Sequence, residues 1–502
     1  MRIIFGSRVL WAICCVCLTL AIYGRIFFPP LSLGAGDPDR YFHLWVAQET
    51  AARGLLHAIP QVDNLGWALN FPDKEFFFHL LAAFGYKIHG EWGALGLVPA
   101  FVVALILILY FSFCSKNLFN LPPWLAFLIS VFPVLGAAPF TFRLFLFRPH
   151  ILGIFFWVAN LVGLFSSRRW LTFVGSVLFA LSYHAFYMPL ILAFTYAVVQ
   201  IVMHLRVNWR LILMVPAGLL VGTIVNPYFP DNAVMGWLHL KIALGVLPYM
   251  NRGQELNPLP IMETLALAKF QLITLVSSLA YAVCLSRVGA KDPFKFYFVL
   301  FLSVLLGTMC LKSPRANEYW LPVSAFLLAA FCSVLLERLP GKLEKRCFAA
   351  PLLCLAFLGP GAFDFYRDVL RTRYIGPTQA VFDALSLVPE RAAGEKIFNC
   401  NWTDGSFILY RRPDLRFVDL LEPAFLYDYS PEAHRLRVDL NAGHYPKPAG
   451  SIVRAFRSRY VVCDNPILNG LLARDEGARE LSSTKLPLSH ERTFELLGEL
   501  PK

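Results

Sequence analysis

Long apolar runs separated by short basic loops fill this 502-residue chain from Ser7 to Pro360, and then the runs cease. Runs of about 17 to 25 residues match the length at which a helix crosses the hydrocarbon core of a bilayer. The pattern predicts an anchor over 9–28 and spans near 94–114, 122–139, 149–165, 170–187, 189–205, 209–225, 266–286, 293–311, 320–336 and 348–363. That makes about eleven crossings. The anchor follows Arg2 and Arg8 and lacks a clear A-x-A cleavage site, so it is expected to stay uncleaved with its N-terminus in the cytoplasm. Between it and the second run, residues 39–54 read as an amphipathic helix. Residues 71–89 read as a shorter one, with Phe76, Phe77, Leu80 and Leu81 on its apolar side.

Loop charges orient the pattern. Lys116, Arg168 with Arg169, Arg206 with Arg210, Arg287 with Lys291, and Arg338, Lys342, Lys345 and Arg346 occupy alternate loops on the side of Arg2 and Arg8. The positive-inside rule makes that side cytoplasmic. An odd number of crossings then puts both the loop beginning at Asp37 and the C-terminal tail outside.

After Asp364 the composition turns polar. Arg367, Arg371 and Arg373 lead into a helix-like segment over 378–387. IFNCNWTDGSFILY, from Ile397 to Tyr410, reads as a strand, a Thr-Asp-Gly turn and a second strand, while RFVDLL from Arg416 and RYVVC from Arg459 read as further short strands. The expected fold is mainly α: a polytopic membrane bundle over 1–366, followed by a small extracytoplasmic α/β or α+β domain over 367–502. That domain shows no nucleotide loop and no nucleophile motif, which suits a lid, an acceptor-recognition module or a purely structural part.

Composition agrees with the pattern: 57% hydrophobic residues, 16% charged residues and a mean hydropathy of +0.57 exclude a soluble globular chain. The net charge of +12 lies mainly in short loops and the tail, where lipid headgroups explain it, and no nucleic-acid partner is expected. Cys14, Cys15, Cys17, Cys284, Cys310, Cys332 and Cys354 sit in apolar runs as small hydrophobes, and no zinc spacing occurs. Cys400 and Cys463 can pair in a disulfide if the tail is extracytoplasmic.

Candidate chemistry collects on the outer side. In GDPDRYFHLWVAQE, beginning at Gly36, the proline drives Asp37 toward an extended conformation, Pro38-Asp39 can open a helix, and His43 falls one turn beyond Asp39. Other outer loops add Arg143, Arg148 and His150, then His184, Glu255, and Lys312, Arg315, Glu318 and Tyr319. Each has a bland alternative. Either aspartate can cap a surface helix, Arg143 and Arg148 can snorkel to lipid phosphates, Arg315 and Glu318 can form an i, i+3 pair, and His79 and His184 can be core histidines. Together they place cations and carboxylates on one face, where ionisable groups at membrane depth usually meet a cavity or a substrate.

Such a face suits group transfer from a lipid phosphate or pyrophosphate. Arg143, Arg148, Lys312 and Arg315 would hold the phosphate, while Asp37 or Asp39 takes the proton of an acceptor hydroxyl. Alternatively the two aspartates, with His43 or His79 nearby, hold a divalent ion such as Mg or Mn against the phosphates. Asp73, Glu75, His79, His150, His184, Glu255, Glu318 and Tyr319 would support the site.

On these residues the chain resembles the GT-C superfamily, polytopic glycosyltransferases that use polyprenyl-phosphate-linked sugars. In that family an acidic motif just after span one is followed by two interfacial helices, and a C-terminal soluble domain often completes the chain. Asp37-Pro38-Asp39 with His43, the segment holding Gly54, Ile59-Pro60 and Asp63, and Asp73-Lys74-Glu75 before Phe78-His79 match this layout. The loop is most similar to a bacterial branch with D-P-D-x-x-x-H. It differs from the adjacent Asp-Glu of protein O-mannosyltransferases, and the tail lacks the W-W-D-Y-G type motif of oligosaccharyltransferases. The resemblance implies a catalytic Asp37 or Asp39, a polyprenyl-phosphate-sugar donor, a lipid, glycan or protein acceptor, and a bacterial inner-membrane location. Two rivals remain. A lipid-linked glycan flippase or transporter would gather polar groups at the midplane, and a polysaccharide ligase or polymerase would not need an acidic loop after the first span.

Overall fold

The structure is a computed structural model that describes residues 2–27, 37–247, 258, 260–285, 293–338, 377–483 and 491–498. Helices dominate, and a five-stranded sheet lies near the C-terminus.

The apolar runs fold as helices at Arg2–Phe27, Leu97–Cys114, Pro123–Gly136, His150–Phe165, Arg169–Ser182, Tyr187–Val202, Lys269–Leu285, Phe294–Cys310 and Asn317–Arg338. The 209–225 run divides into Trp209–Ile212 and Met214–Val225. The expected span at 348–363 lies outside the described residues. Among the described helices, Leu97–Cys114 and Pro314–Leu336 are long and apolar enough to cross a membrane; the others fall short, as with Arg169–Ser182. Ser167 and His204, at φ 53° and 55°, lie in the turns just past the ends of His150–Phe165 and Tyr187–Val202.

Arg169–Ser182 packs backbone to backbone on Met214–Val225 through glycines one turn apart. A Cβ on Gly218 would stand 2.5 Å from the Phe173 carbonyl oxygen, and one on Gly222 2.5 Å from that of Val177. Small residues at this spacing let two backbones touch, which is how helices gain contact where no hydrophobic drive exists. Gly218→Ala should therefore force the pair apart at a cost of about 1–3 kcal/mol. A lowered unfolding midpoint in detergent would show it, and an unchanged midpoint would contradict it.

The segment after the first helix holds two helices, Pro38–Arg53 and Phe76–Leu95. Gly54 closes the first at φ 86°, and His89-Gly90 kinks the second. The second helix starts later than the sequence pattern suggests, because Asp73 Oδ1 accepts the Glu75 N–H at 3.0 Å and holds a turn ahead of Phe76. The first helix is enclosed on both sides. Leu44 and Ala47 join Phe78 and Ala82 in the bundle core, whereas Phe42, Trp45 and Val46 enter the core of the tail.

In the tail the sheet order is β2-β1-β3-β5-β4, with β1 at Lys396–Asn399, β2 at Arg416–Phe417, β3 at Tyr460–Cys463, β4 at Ala478–Ser483 and β5 at Arg492–Leu496. Strands β1, β2 and β3 are parallel, while β5 runs antiparallel to β3 and β4. The expected hairpin at Thr403-Asp404-Gly405 is instead the start of helix Asp404–Arg411. A parallel β1–β2 pair requires a crossover in place of a tight turn, and Gly405 lets the helix pass the Asp419 carbonyl, where a Cβ would come within 2.2 Å. The 416–421 strand is short because Val418 and Asp419 give their N–H groups to Asn399 Oδ1 instead of to a strand. Cys400 and Cys463, one step beyond the Asn399–Val462 register pair, form a disulfide.

The tail docks on the segment that holds these two helices. Lys396 Nζ meets Asp63 at 2.6 Å, the Phe417 N–H donates to the Gln61 carbonyl at 2.9 Å, and Tyr41 packs among Phe382, Phe407 and Tyr410.

Candidate active site

Asp37 occupies the N-cap of Pro38–Arg53 with extended backbone, as its position before proline predicts, yet its side chain caps nothing. The carboxylate turns instead to Arg148. Nε donates to Asp37 Oδ2 at 2.9 Å and Nη2 to Oδ1 at 2.5 Å, while Nη1 lies 2.9 Å from Asp39 Oδ2. One guanidinium thus clamps both aspartates, using the paired-donor geometry that only arginine offers. Asp37 is buried, and Asp39 keeps 24% of its side-chain surface exposed. The capping and snorkelling alternatives both fail for these residues. Arg143 is likewise engaged, donating from Nε to the buried Glu318 at 2.8 Å.

Beside the clamp runs a chain of buried polar groups. His79 Nδ1 lies 2.8 Å from Asp73 Oδ2, and His79 Nε2 lies 2.8 Å from His43 Nδ1. A carboxylate accepts, so His79 is protonated at Nδ1 and its Nε2 accepts from His43; the lone pair of neutral His43 is then left on Nε2. Burial, reinforced by the neighbouring His79, pushes the His43 pKa well below its ordinary value and keeps the ring neutral. Glu75 shows the opposite balance. Burial would raise its pKa, but the Lys74 charge and a 3.1 Å hydrogen bond from His184 Nδ1 hold it below the usual carboxylate range. His184 in turn stacks on His239 with centroids 3.9 Å apart, and burial depresses the His239 pKa strongly. His150 Nε2 donates to the Arg143 carbonyl at 2.7 Å, fixing the turn that carries both arginines.

These groups surround a cavity of about 60 Å³. Asp39, His43, Lys74 and Glu75 line it from the segment after the first helix; Arg143, Arg148, His150, His184, His239 and Arg315 line it from the bundle. Leu421, Glu422 and Phe425 of the tail close it. A second, mainly apolar cavity of about 210 Å³ lies alongside, lined by Phe140, Phe142, Leu267 and Ala268. Arg143 and Arg315 border both.

The sequence expectations separate into three sets. Asp39, His43, Glu75, Arg143, Arg148, His150, His184 and Arg315 line the first cavity. Asp37, Asp73, His79 and Glu318 stand behind them, holding Arg148, His79, His43 and Arg143 respectively. Lys312 and Tyr319 do not belong. Lys312 is exposed in the turn after Phe294–Cys310 and lines neither cavity, and Tyr319 is buried edge-on against Trp157. Glu255 lies outside the described residues. Sequence reasoning missed Lys74, Tyr183, His239, Leu421, Glu422 and Phe425 as cavity residues. Lys74, between two singled-out acids, was the legible one; the others carry no local signal.

The metal reading also shifts. Arg148 already sits between Asp37 and Asp39 with a full positive charge, so a cation held by both aspartates would have to displace it. His43, Glu75 and His79, all buried, present ligand atoms within 4.8 Å of one another. Two imidazoles and a carboxylate suit zinc or manganese better than magnesium, provided the ion replaces the His43–His79 hydrogen bond.

No protein-family model and no curated protein matches the sequence. The fold is similar to that of ArnT from Cupriavidus metallidurans bound to undecaprenyl phosphate, with a TM-score of 0.61 at 12% identity over 96% of this chain and 97% of that one. Apo ArnT gives 0.62 at 13% identity, over 97% and 98%. The Archaeoglobus fulgidus oligosaccharyltransferase, in complex with Zn and sulfate, gives 0.60 at 13% identity over 93% of this chain and 70% of that one. The chain thus shares its fold with an ArnT and with an oligosaccharyltransferase.

Proposed function

From this shared GT-C fold and the charges around the first cavity, we propose an integral-membrane glycosyltransferase. It moves a sugar from a polyprenyl-phosphate-linked donor to a lipid, glycan or protein acceptor on the extracytoplasmic face. The observation that carries the reading is the pairing of the two cavities, one polar and one apolar, with Arg143 and Arg315 at their junction. A prenyl chain fits the apolar cavity, its phosphate meets the two arginines, and the sugar then lies beside Asp39.

The acceptor hydroxyl attacks the anomeric carbon as the bond to phosphate oxygen breaks, and the sugar passes through an oxocarbenium-like state. The arginines stabilise the charge growing on the departing prenyl phosphate. Asp39 takes the hydroxyl proton late, when the forming bond has made that proton acidic. Asp39 is preferred to Asp37 as base because it lines the cavity and keeps 24% of its side chain exposed, whereas Asp37 is buried and bound by Arg148 through both oxygens. Asp37 positions the guanidinium. The group His43, Glu75 and His79 would hold a zinc or manganese ion in the metal-assisted form, where the ion would supply positive charge toward a donor phosphate.

Orientation is supported from two directions. The basic loops at Arg168 and Arg206 lie at the opposite ends of their helices from the cavity residues His150 and His184. The Cys400–Cys463 disulfide suits an oxidising compartment for the 367–502 domain. That domain closes the cavity through Leu421, Glu422 and Phe425, which fits an acceptor-recognising lid over the 1–366 membrane part.

Purified protein in liposomes, given a radiolabelled polyprenyl-phosphate sugar and a membrane extract as acceptor source, tests the class. Acceptor-dependent release of polyprenyl phosphate supports transfer; movement of intact donor between leaflets with no release indicates a flippase. Arg315→Ala should raise KM for the donor with a smaller effect on kcat, by about tenfold to a hundredfold for one charge-assisted contact. An unchanged KM would remove Arg315 from the phosphate site.

A further inference from the structure

A second set of carboxylates lies in the tail and is aligned by the sheet. The register of β3 against β5 ends at the pair Cys463 and Arg492, so Asp464, just past β3, faces Glu491, just before β5. On the other side of β3, parallel β1 ends beside it, and the Cys400–Cys463 disulfide ties the two strand ends together. The chain then turns into helix Asp404–Arg411 and brings Asp404 to the same end. Ligand atoms of Asp404, Asp464 and Glu491 fall within 4.8 Å of one another. This is the carboxyl end of β1 and β3, where the chain leaves β1 toward β2 while β3 lies opposite; ligands of α/β sheets bind outside such reversal points.

An independent observation points to a ligand. Asp404 is 3% exposed, and its Oδ2 is sealed from solvent without a hydrogen-bond partner. Its Oδ1 is met by the Thr403 hydroxyl at 3.5 Å. The nearby Arg437 acts on Asp404 only through its charge, its hydrogen-bonding groups going elsewhere: Nη2 lies 3.0 Å from Asp419 and Nη1 3.5 Å from the Cys400 carbonyl. Three carboxylates this close, two of them buried, repel one another and leave a buried acceptor unmet.

We propose that Asp404, Asp464 and Glu491 bind one divalent cation and that calcium is the cation the site takes. All three donors are carboxylate oxygens, with no imidazole or thiolate among them, and that set selects hard ions. Calcium tolerates irregular geometry, and the partly exposed side of Asp464 leaves room for water to complete its shell. The ion would fasten the ends of β3 and β5 to the start of the crossover helix and so stiffen the domain that closes the donor cavity. This site is separate from that cavity, and its fate does not decide the transferase reading.

The test uses the full chain in detergent at neutral pH, stripped with chelator and titrated with radioactive calcium up to about 5 mM, beyond the weak end of extracellular calcium sites. One ion per chain is expected, with a Kd of about 10⁻⁴ to 10⁻³ M, together with a raised unfolding midpoint. Asp404→Asn and Asp464→Asn should each weaken binding at least about tenfold, the order expected for removing one charged ligand. Glu75→Gln, in the donor cavity, should not. If Asp404→Asn fails to fold, Asp464→Asn still decides, because its side chain is partly exposed. Absence of saturable binding, binding unaltered in both tail variants, or a calcium-independent rise in stability on Asp404→Asn would each overturn the proposal.

Discussion

Asp39→Asn is expected to reduce glycosyl transfer by about 10²- to 10⁴-fold, the usual contribution of a positioned general base, while the protein stays folded. The amide keeps the shape of the side chain and can still accept a hydrogen bond from Arg148, but it cannot take a proton from the acceptor hydroxyl. Binding of donor should change little, so the loss belongs in kcat. The separation from Asp37 makes this specific. Asp37→Asn weakens a two-point ion pair to Arg148 and should act through misplacement of that guanidinium, with effects on both KM and kcat. Wild-type turnover in Asp39→Asn, measured with saturating donor, would exclude this residue as the base.

Arg148→Ala should be the most damaging single change, in stability and activity together. Its guanidinium is the contact that joins Asp37 to Asp39, and Asp37 is buried. Removing one partner of a buried pair leaves an uncompensated charge and costs about 3–5 kcal/mol. Arg148→Lys should recover only part of this, because an ammonium cannot give two parallel hydrogen bonds to one carboxylate while also reaching the second. The thermal midpoint in detergent and the transfer rate should therefore rank as wild type, Arg148→Lys, Arg148→Ala. Equal midpoints for wild type and Arg148→Ala would show that the clamp contributes nothing to the folded state.

Much of this site is legible in the sequence because its chemistry departs from what membrane segments normally carry. Arg143 and Arg148 stand out as cations on the side where basic residues are scarce, and Asp37-Pro38-Asp39 with His43 stands out as charge at a proline-opened helix. What periodicity and spacing do not convey is partnership. His43, His79 and Asp73 are each noticeable, but their hydrogen-bonded order depends on two helices packing face to face. Glu422 and Phe425 reach the cavity only because the tail docks through Lys396 on Asp63 and Tyr41 among its own aromatics, contacts between segments more than three hundred residues apart. Lys312 shows the reverse error, since nearness to Arg315 in sequence does not survive the turn between two helices. The Thr403-Asp404-Gly405 signal was real but ambiguous: the same residues open a helix when the neighbouring strands are parallel.

The most direct measurement is a structure of the protein with a polyprenyl-phosphonate sugar that cannot be cleaved. The expected result places the phosphonate between Arg143 and Arg315, the prenyl chain in the cavity lined by Phe140 and Leu267, and the anomeric carbon within reach of Asp39. A headgroup bound away from these arginines, or a polar passage open to both sides of the bundle, would contradict it.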